Sequence, residues 1–123
     1  IKLALEAVNR YETYLYNTLE DVRDTVLKVG ASNLFVHADT YHMNIEEEGF
    51  YKPLVSVGDK LDYIHMSESH RGLIGSGTVN WDEVWRSRFK NGSCKNFKSR
   101  IHDSTVLCPQ PVSTLTKLFC QIR

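Results

Sequence analysis

A chain of 123 residues with 41% apolar and 24% charged residues and a formal net charge of zero has the size and make-up of one soluble globular domain. No apolar run approaches the ~20 residues of a membrane span and no signal peptide is visible, so no membrane role is expected. Three cysteines (Cys94, Cys108 and Cys120) without CxxC spacing argue against a disulfide framework and for a reducing, cytoplasmic compartment. The chain begins at Ile1 rather than Met, which reads as a piece of a longer protein or a processed form.

The run "IKLALE" is β-compatible and ends on the carboxylate of Glu6. "TLEDVRDTVLKVG" predicts a helix. Thr18 is its N-cap, Glu20 and Asp21 lie in its first turn, and Gly30 is its C-cap. Its positions Leu19, Val22, Val26 and Val29 keep one apolar face. "NLFVHADT" predicts a second strand running to Asp39. Glu46, Glu47 and Glu48 are expected to open the next helix, where carboxylates favour the positive end of the dipole. "GFYKPLVSVGDK" predicts that shorter helix, with Pro53 near its first turn. "LDYIHMS" predicts a third strand through His65. A Gly-rich loop, "HRGLIGSGTVN", then leads to a helix beginning "WDEVWRSRF" with Asn80 as N-cap.

The zero net charge hides an asymmetry. Residues 1–86 carry 8 Lys+Arg against 14 Asp+Glu, a net of −6, and residues 87–123 carry 7 Lys+Arg against Asp103 alone, a net of +6. All three cysteines, Pro109 and Pro111 fall in the second part. This marks a boundary near Arg86 between an α/β unit and a divergent basic tail. A basic tail is most simply a solvated segment, and otherwise an arm for an acidic partner.

Strand and helix alternate three times over residues 1–86, which argues parallel βαβ units and an α/β sheet or barrel. Glu6, Asp39 and His65 end the three strands, 33 and 26 residues apart, about one βα unit each. Sites in parallel α/β folds lie at the carboxyl ends of strands, so adjacent strands would bring these three side by side. Two carboxylates and an imidazole suit Mn²⁺, Mg²⁺ or Co²⁺ better than a thiolate-loving metal. The spacing alone leaves a second reading open, in which polar strand ends simply face solvent.

The segments "LEAVNRYE", "HADTYHMNIEEE" and "HMSESHRGLIGSGTVNWDE" together resemble the ketose 3-epimerases, the D-tagatose 3-epimerase and D-psicose (D-allulose) 3-epimerase family of sugar isomerase/epimerase TIM barrels. The resemblance covers roughly residues 1–86. It implies a (β/α)₈ barrel of which this chain holds the later strands only. It implies that Glu6 is a metal ligand and one of two acid/base glutamates, and that Asp39 and His65 are further ligands. By the same resemblance His42 and Arg71 contact sugar oxygens near the reacting carbon, and Glu12 binds the substrate near its carbonyl end. A free ketose substrate, Mn²⁺ as the first choice of metal, and a homo-oligomer at full length are implied as well. An ordinary solvated charge remains the other reading of Glu12 and Arg71, and a packed histidine that of His42.

The chemistry accounts for these residue types. Epimerisation at C3 removes a proton alpha to the C2 carbonyl and returns it to the other face. A divalent metal stabilises the developing enediolate as a Lewis acid, and two carboxylates, one on each face, alternate as base and acid. "GLIGSG" lacks the GK[ST] ending of a phosphate loop and reads as a flexible loop near the pocket.

The chain departs from the family after "VWRSRF". The family pattern asks for a second glutamate about 35 residues beyond His65, but position 100 is arginine and no Glu follows Glu83. Residues from about 88 onward are therefore expected not to be native family sequence, as a reading-frame change would produce. Residues 112–123 keep a helical apolar spacing through Leu115, Leu118, Phe119 and Ile122. With one acid/base glutamate the chain as written is expected to be weak or inactive. Two other readings stay open. One is another enzyme of the same barrel group, such as a sugar isomerase, an inosose dehydratase or an abasic-site endonuclease. The other is a non-catalytic piece whose basic tail binds something acidic. A nucleic-acid substrate is disfavoured by the acidic residues 1–86.

Overall fold

The computed structural model describes residues 1–90 and 98–101. Strand β1 (Leu3–Glu6) is followed by helix α1 (Leu19–Val29), strand β2 (Leu34–Asp39) and helices α2 (Thr40–Glu46) and α3 (Tyr51–Val57). A 3₁₀ turn (Gly58–Lys60), strand β3 (Leu61–Met66), helix α4 (Trp81–Lys90) and strand β4 (Lys98–Ile101) complete the order. The strands form one parallel sheet in sequence order, β1-β2-β3-β4. Consecutive parallel neighbours joined by helices are how a β/α barrel winds, and the fold is a partial barrel of that kind.

Local chemistry sets the helix ends. Thr18 Oγ1 accepts the Asp21 N–H at 3.2 Å and Asp21 Oδ2 accepts the Thr18 N–H at 3.3 Å, a reciprocal cap at the start of α1. At its end Gly30 adopts φ 68, a left-handed conformation costly for other residues, and returns its N–H to the Val26 carbonyl. Alternation along the strands divides the sheet. Val36, Ala38, Ile64 and Met66 lie on one face, fully or almost fully buried against Leu19, Val22 and Val26 of α1, Leu54 and Val57 of α3, and Val84 of α4. Burial of each Val, Leu, Ile or Met side chain among them is worth about 1.5–3 kcal/mol. Glu6, His37, Asp39, Tyr63 and His65 alternate onto the opposite face.

Two expectations are corrected here. Glu46, Glu47 and Glu48 do not open a helix: Glu46 is the last residue of α2 and Glu47 its C-cap, and α3 begins only at Tyr51 with no acidic residue in its first turn. The reason is that Asp39 caps a new helix directly at the strand end, so the glutamates fall at its finish. Two of the three then find distant partners. Glu46 forms a two-oxygen pair with Arg10, and Glu47 accepts the Leu19 N–H at 2.8 Å, placing a carboxylate on the positive end of α1 instead. The N-terminus of α3 has no cap of its own. Glu83, from the first turn of α4, accepts the Phe50 and Tyr51 N–H groups at 2.8 and 3.1 Å.

Strand β4 is the second difference. Its sequence, KSRI, is too polar to announce a strand, yet it pairs in parallel with β3 in the register Tyr63↔Lys98 to Met66↔Ile101. The three cysteines and the helical spacing at 112–123 lie outside the described residues. Among the described residues no helix is long and apolar enough to cross a membrane.

Candidate active site

Parallel register aligns the strand ends. Glu6 stands opposite His37, Asp39 opposite His65, and His65 opposite Arg100. Glu6, Asp39 and His65, on three successive strands, therefore meet at one edge of the sheet.

Asp39 is the centre of the cluster and is 1% exposed. It has two tasks, one for each oxygen. Oδ1 caps α2 by accepting the Tyr41 N–H at 2.8 Å. Oδ2 faces the other side chains of the cluster, 2.7 Å from Arg71 Nη1, 3.5 Å from His65 Nδ1 and 3.9 Å from His42 Nε2. Glu6 Oε2 lies 3.6 Å from His37 Nδ1. Burial raises the Glu6 pKa, the Asp39 charge raises it further, and Arg71 opposes both.

His42 is brought in by α2 and is almost fully buried. Its Nδ1 receives the Asn9 backbone N–H at 3.2 Å and lies 2.7 Å from Asn9 Nδ2. Two donors on that side favour the ring proton on Nε2, the edge facing Asp39, against the single longer approach of Arg71 Nη2 to Nε2 at 3.4 Å, a tautomer assigned from the network. Burial lowers the His42 pKa and favours the neutral ring, although Asp39 and Glu12 pull the other way. Asn9 Nδ2 also donates to Glu12 Oε1 at 3.0 Å, and Asn9 Oδ1 accepts the Tyr11 N–H. Glu12 itself is exposed at the rim, 3.9 Å from His42 Nδ1.

Arg71 adopts φ 62, left-handed for a non-glycine residue. Its guanidinium lies over the Tyr41 ring at 4.0 Å and bonds Asp39. The structure thus brings Glu6, Asp39, His65, His42 and Arg71 together and leaves Glu12 at the edge, tied in through Asn9.

Two residues of the cluster escaped the sequence reading. Asn9 is 1% exposed and couples His42 to Glu12; its position inside "VNRYE" was the available signal. His37 lies on the face of Asp39, two residues earlier in β2, and strand alternation alone could have found it. Its ring meets Tyr63 edge-on at 4.7 Å and lies 5.4 Å from His65. Its Nε2 is buried with no hydrogen-bond partner among the described residues. Burial, and then the neighbouring His65, lower its pKa to about 4, so it is neutral at pH 7.

The donor set fits a divalent cation. Glu6, His37 and His65 offer ligand atoms within 4.8 Å of one another, and so do Glu6, Asp39 and His42. Glu6 belongs to both groups, and oxygen with imidazole nitrogen is the donor mix of Mn²⁺, Co²⁺ and related ions.

Comparison with known proteins bears on the family and the fold. The family model of the xylose isomerase-like TIM barrel matches residues 1–87. The chain is 48% identical over 81 residues to an L-ribulose 3-epimerase of Methylomonas sp. (strain DH-1), covering 66% of this chain and 28% of that protein. It is 41% identical over 109 residues to a ketose 3-epimerase of Arthrobacter globiformis, covering 89% of this chain and 38% of that one, an alignment that runs beyond residue 86. The crystal structure of a D-allulose 3-epimerase from Methylomonas sp. in complex with D-allulose superposes with a TM-score of 0.76 at 36% identity, covering 98% of this chain and 40% of that one. The chain therefore spans less than half the length of the relatives it matches.

Proposed function

From the premise that the chain belongs to the xylose isomerase-like TIM-barrel family, with relatives named as ketose 3-epimerases, we propose that its residues serve metal-dependent epimerisation of free ketoses at C3. The observation that carries this reading is that Glu6, Asp39 and His65 end adjacent strands and approach one another in pairs, Glu6 sharing one ligand group with His65 and His37 and another with Asp39 and His42, while Arg71 bonds the Asp39 carboxylate.

Glu6, Asp39 and His65 would hold the metal, Mn²⁺ by preference since oxygen donors predominate. When bound, a divalent ion supplies Lewis-acid polarisation of the ketose carbonyl. Glu6 is the carboxylate that removes the proton from C3. His42 presents its Nε2–H, and Arg71 its guanidinium, as donors to sugar oxygens that gain negative charge as that proton leaves. Asn9 fixes the His42 tautomer. Glu12, at the rim, accepts from a sugar hydroxyl.

Inversion at C3 needs a second acid/base group on the opposite face. The described β4 carries no carboxylate, and Arg100 stands beside His65 in the register. The chain as written should therefore exchange the C3 proton faster than it inverts C3. A reducing cytoplasmic setting and a homo-oligomer at full length belong to the same reading.

The test is ¹H NMR of D-fructose in D₂O with Mn²⁺-loaded chain, quenched and chelated before measurement. Loss of the C3–H signal that disappears in Glu6→Gln, with slow appearance of the C3 epimer, is expected. A ketose that neither exchanges nor inverts would refute the reading for this chain.

A further inference from the structure

Glu68 belongs to no step described above, yet it is 0% exposed. Its described partners are all neutral donors. Oε1 accepts the Gly75 N–H at 2.6 Å and the Trp81 indole N–H at 2.5 Å, and Oε2 accepts the Ser69 and Val79 N–H groups at 3.2 and 3.4 Å. A buried carboxylate without a facing cation is costly unless its lone pairs are filled, and here four donors fill them.

The donors span the loop between β3 and α4. Ser69 is at its start, Gly75 at its middle, Val79 near its end and Trp81 at the first residue of α4. Arg71 lies inside this span, and its own N–H donates to the Glu68 carbonyl at 2.9 Å. One residue therefore holds both the turn that carries Arg71 and the far side of the loop. The strand before it is fixed as well, because Thr40 Oγ1 donates to the Ser67 carbonyl at 2.6 Å and accepts the Ser67 N–H at 2.8 Å. Gly77 completes the wrap: a Cβ added there would run into the Glu68 carboxylate and the Ser69 hydroxyl. The left-handed backbone of Arg71 is a conformation that an unanchored loop would relax.

We propose that Glu68 is a positioning residue that sets Arg71 at the sugar pocket, by gathering the loop from 69 to 79 around its buried carboxylate. The inference rests on the reading of Arg71 as a ketose contact. It also explains why the position is Glu rather than Gln. Four N–H groups converge on two oxygens, and an amide would turn its own NH₂ against one pair of them.

The experiment uses the 123-residue chain with ¹⁵N-labelled arginine. Wild type should show a guanidinium signal slowed in exchange by its bond to Asp39, identified by its absence in Arg71→Lys. Glu68→Gln and Gly77→Ala should both lose that signal while keeping the far-UV circular dichroism of wild type. If Glu68→Gln fails to fold, Gly77→Ala decides, since it crowds the carboxylate without removing a donor. In the turnover assay, KM for D-fructose should rise about 10-fold or more in each variant. It should rise no further in Glu68→Gln/Arg71→Lys than in Arg71→Lys alone. An unchanged Arg71 signal in both variants, or KM effects that multiply in the double variant, would overturn the proposal. If wild type exchanges no ketose proton at all, the proposed function fails, and the arginine signal still decides whether Glu68 anchors the loop.

Discussion

Asp39→Asn separates metal binding from folding. The amide keeps the side-chain volume and keeps an oxygen to accept the Tyr41 N–H, so the cap of α2 survives. With that oxygen kept for the cap, the position facing Arg71, His65 and His42 becomes an NH₂, which has neither the charge nor the acceptor that Arg71 used. A charge-assisted bond is worth about 1.5–3 kcal/mol. Arg71 is 33% exposed, so solvent screening brings the loss of metal-free stability nearer to about 1 kcal/mol. The effect on metal binding is larger. At a free Mn²⁺ concentration of 100 times Kd, binding stabilises the folded chain by about 2.7 kcal/mol. At about 4–8 °C per kcal/mol for a domain near this size, Tm should rise by roughly 11–22 °C. A ligand substitution should weaken binding at least as much as the ~100-fold upper range for outer-shell changes. At the same Mn²⁺ concentration the variant then gains about 0.4 kcal/mol, a rise of roughly 2–3 °C. Differential scanning calorimetry with and without Mn²⁺, with EDTA as the zero point, measures both. A variant that keeps the full metal-dependent rise would refute Asp39 as a ligand, and a wild type with no rise would refute the metal site.

Three further outcomes follow from the packing and the charges. Leu54→Ala empties a fully buried position on α3 and should cost about 2.7–5 kcal/mol in urea unfolding; a loss below about 1 kcal/mol would mean the α3 contact with the sheet is not part of the core. Glu83→Gln should destabilise by about 1 kcal/mol at pH 7, because two α3 N–H groups share one carboxylate oxygen. Those bonds depress the Glu83 pKa, so its contribution is present above pH 4.5 and is lost as pH falls through the lower folded value; urea midpoints of the Gln variant should lack that part of the acid slope. His37 is depressed from 6.5 to about 4, so stability from its neutral, buried ring is fully present above pH 6.5 and is lost as pH falls towards about 4. The loss is about 3 kcal/mol. His37→Asn should flatten the stability curve over that window, and an unchanged slope would contradict the burial of the ring.

The sequence by itself determined the βα order, the ends of α1 and the identity of the strand-end groups. Thr18, Asp21 and Gly30 act within one turn of the residues they cap, so their effect is readable from neighbours in the chain. Alternation in "LFVHAD" and "LDYIHM" likewise fixes which residues can share a face. Only the tertiary structure decided how these elements meet. It turned Glu46 and Glu47 from an expected helix start into partners of Arg10 and Leu19, 36 and 28 residues away. It set Asn9 against His42 across 33 residues and brought Glu83 to the bare end of α3. It made a strand of the polar KSRI, because pairing with β3 outweighs a weak local propensity. The site follows the same division. The chain order supplied Glu6, Asp39 and His65 at the ends of successive strands, whereas the shared oxygen of Asp39 exists only once parallel register has set β2 beside β3, and the loop gathered on Glu68 only once that segment has folded back over the buried carboxylate.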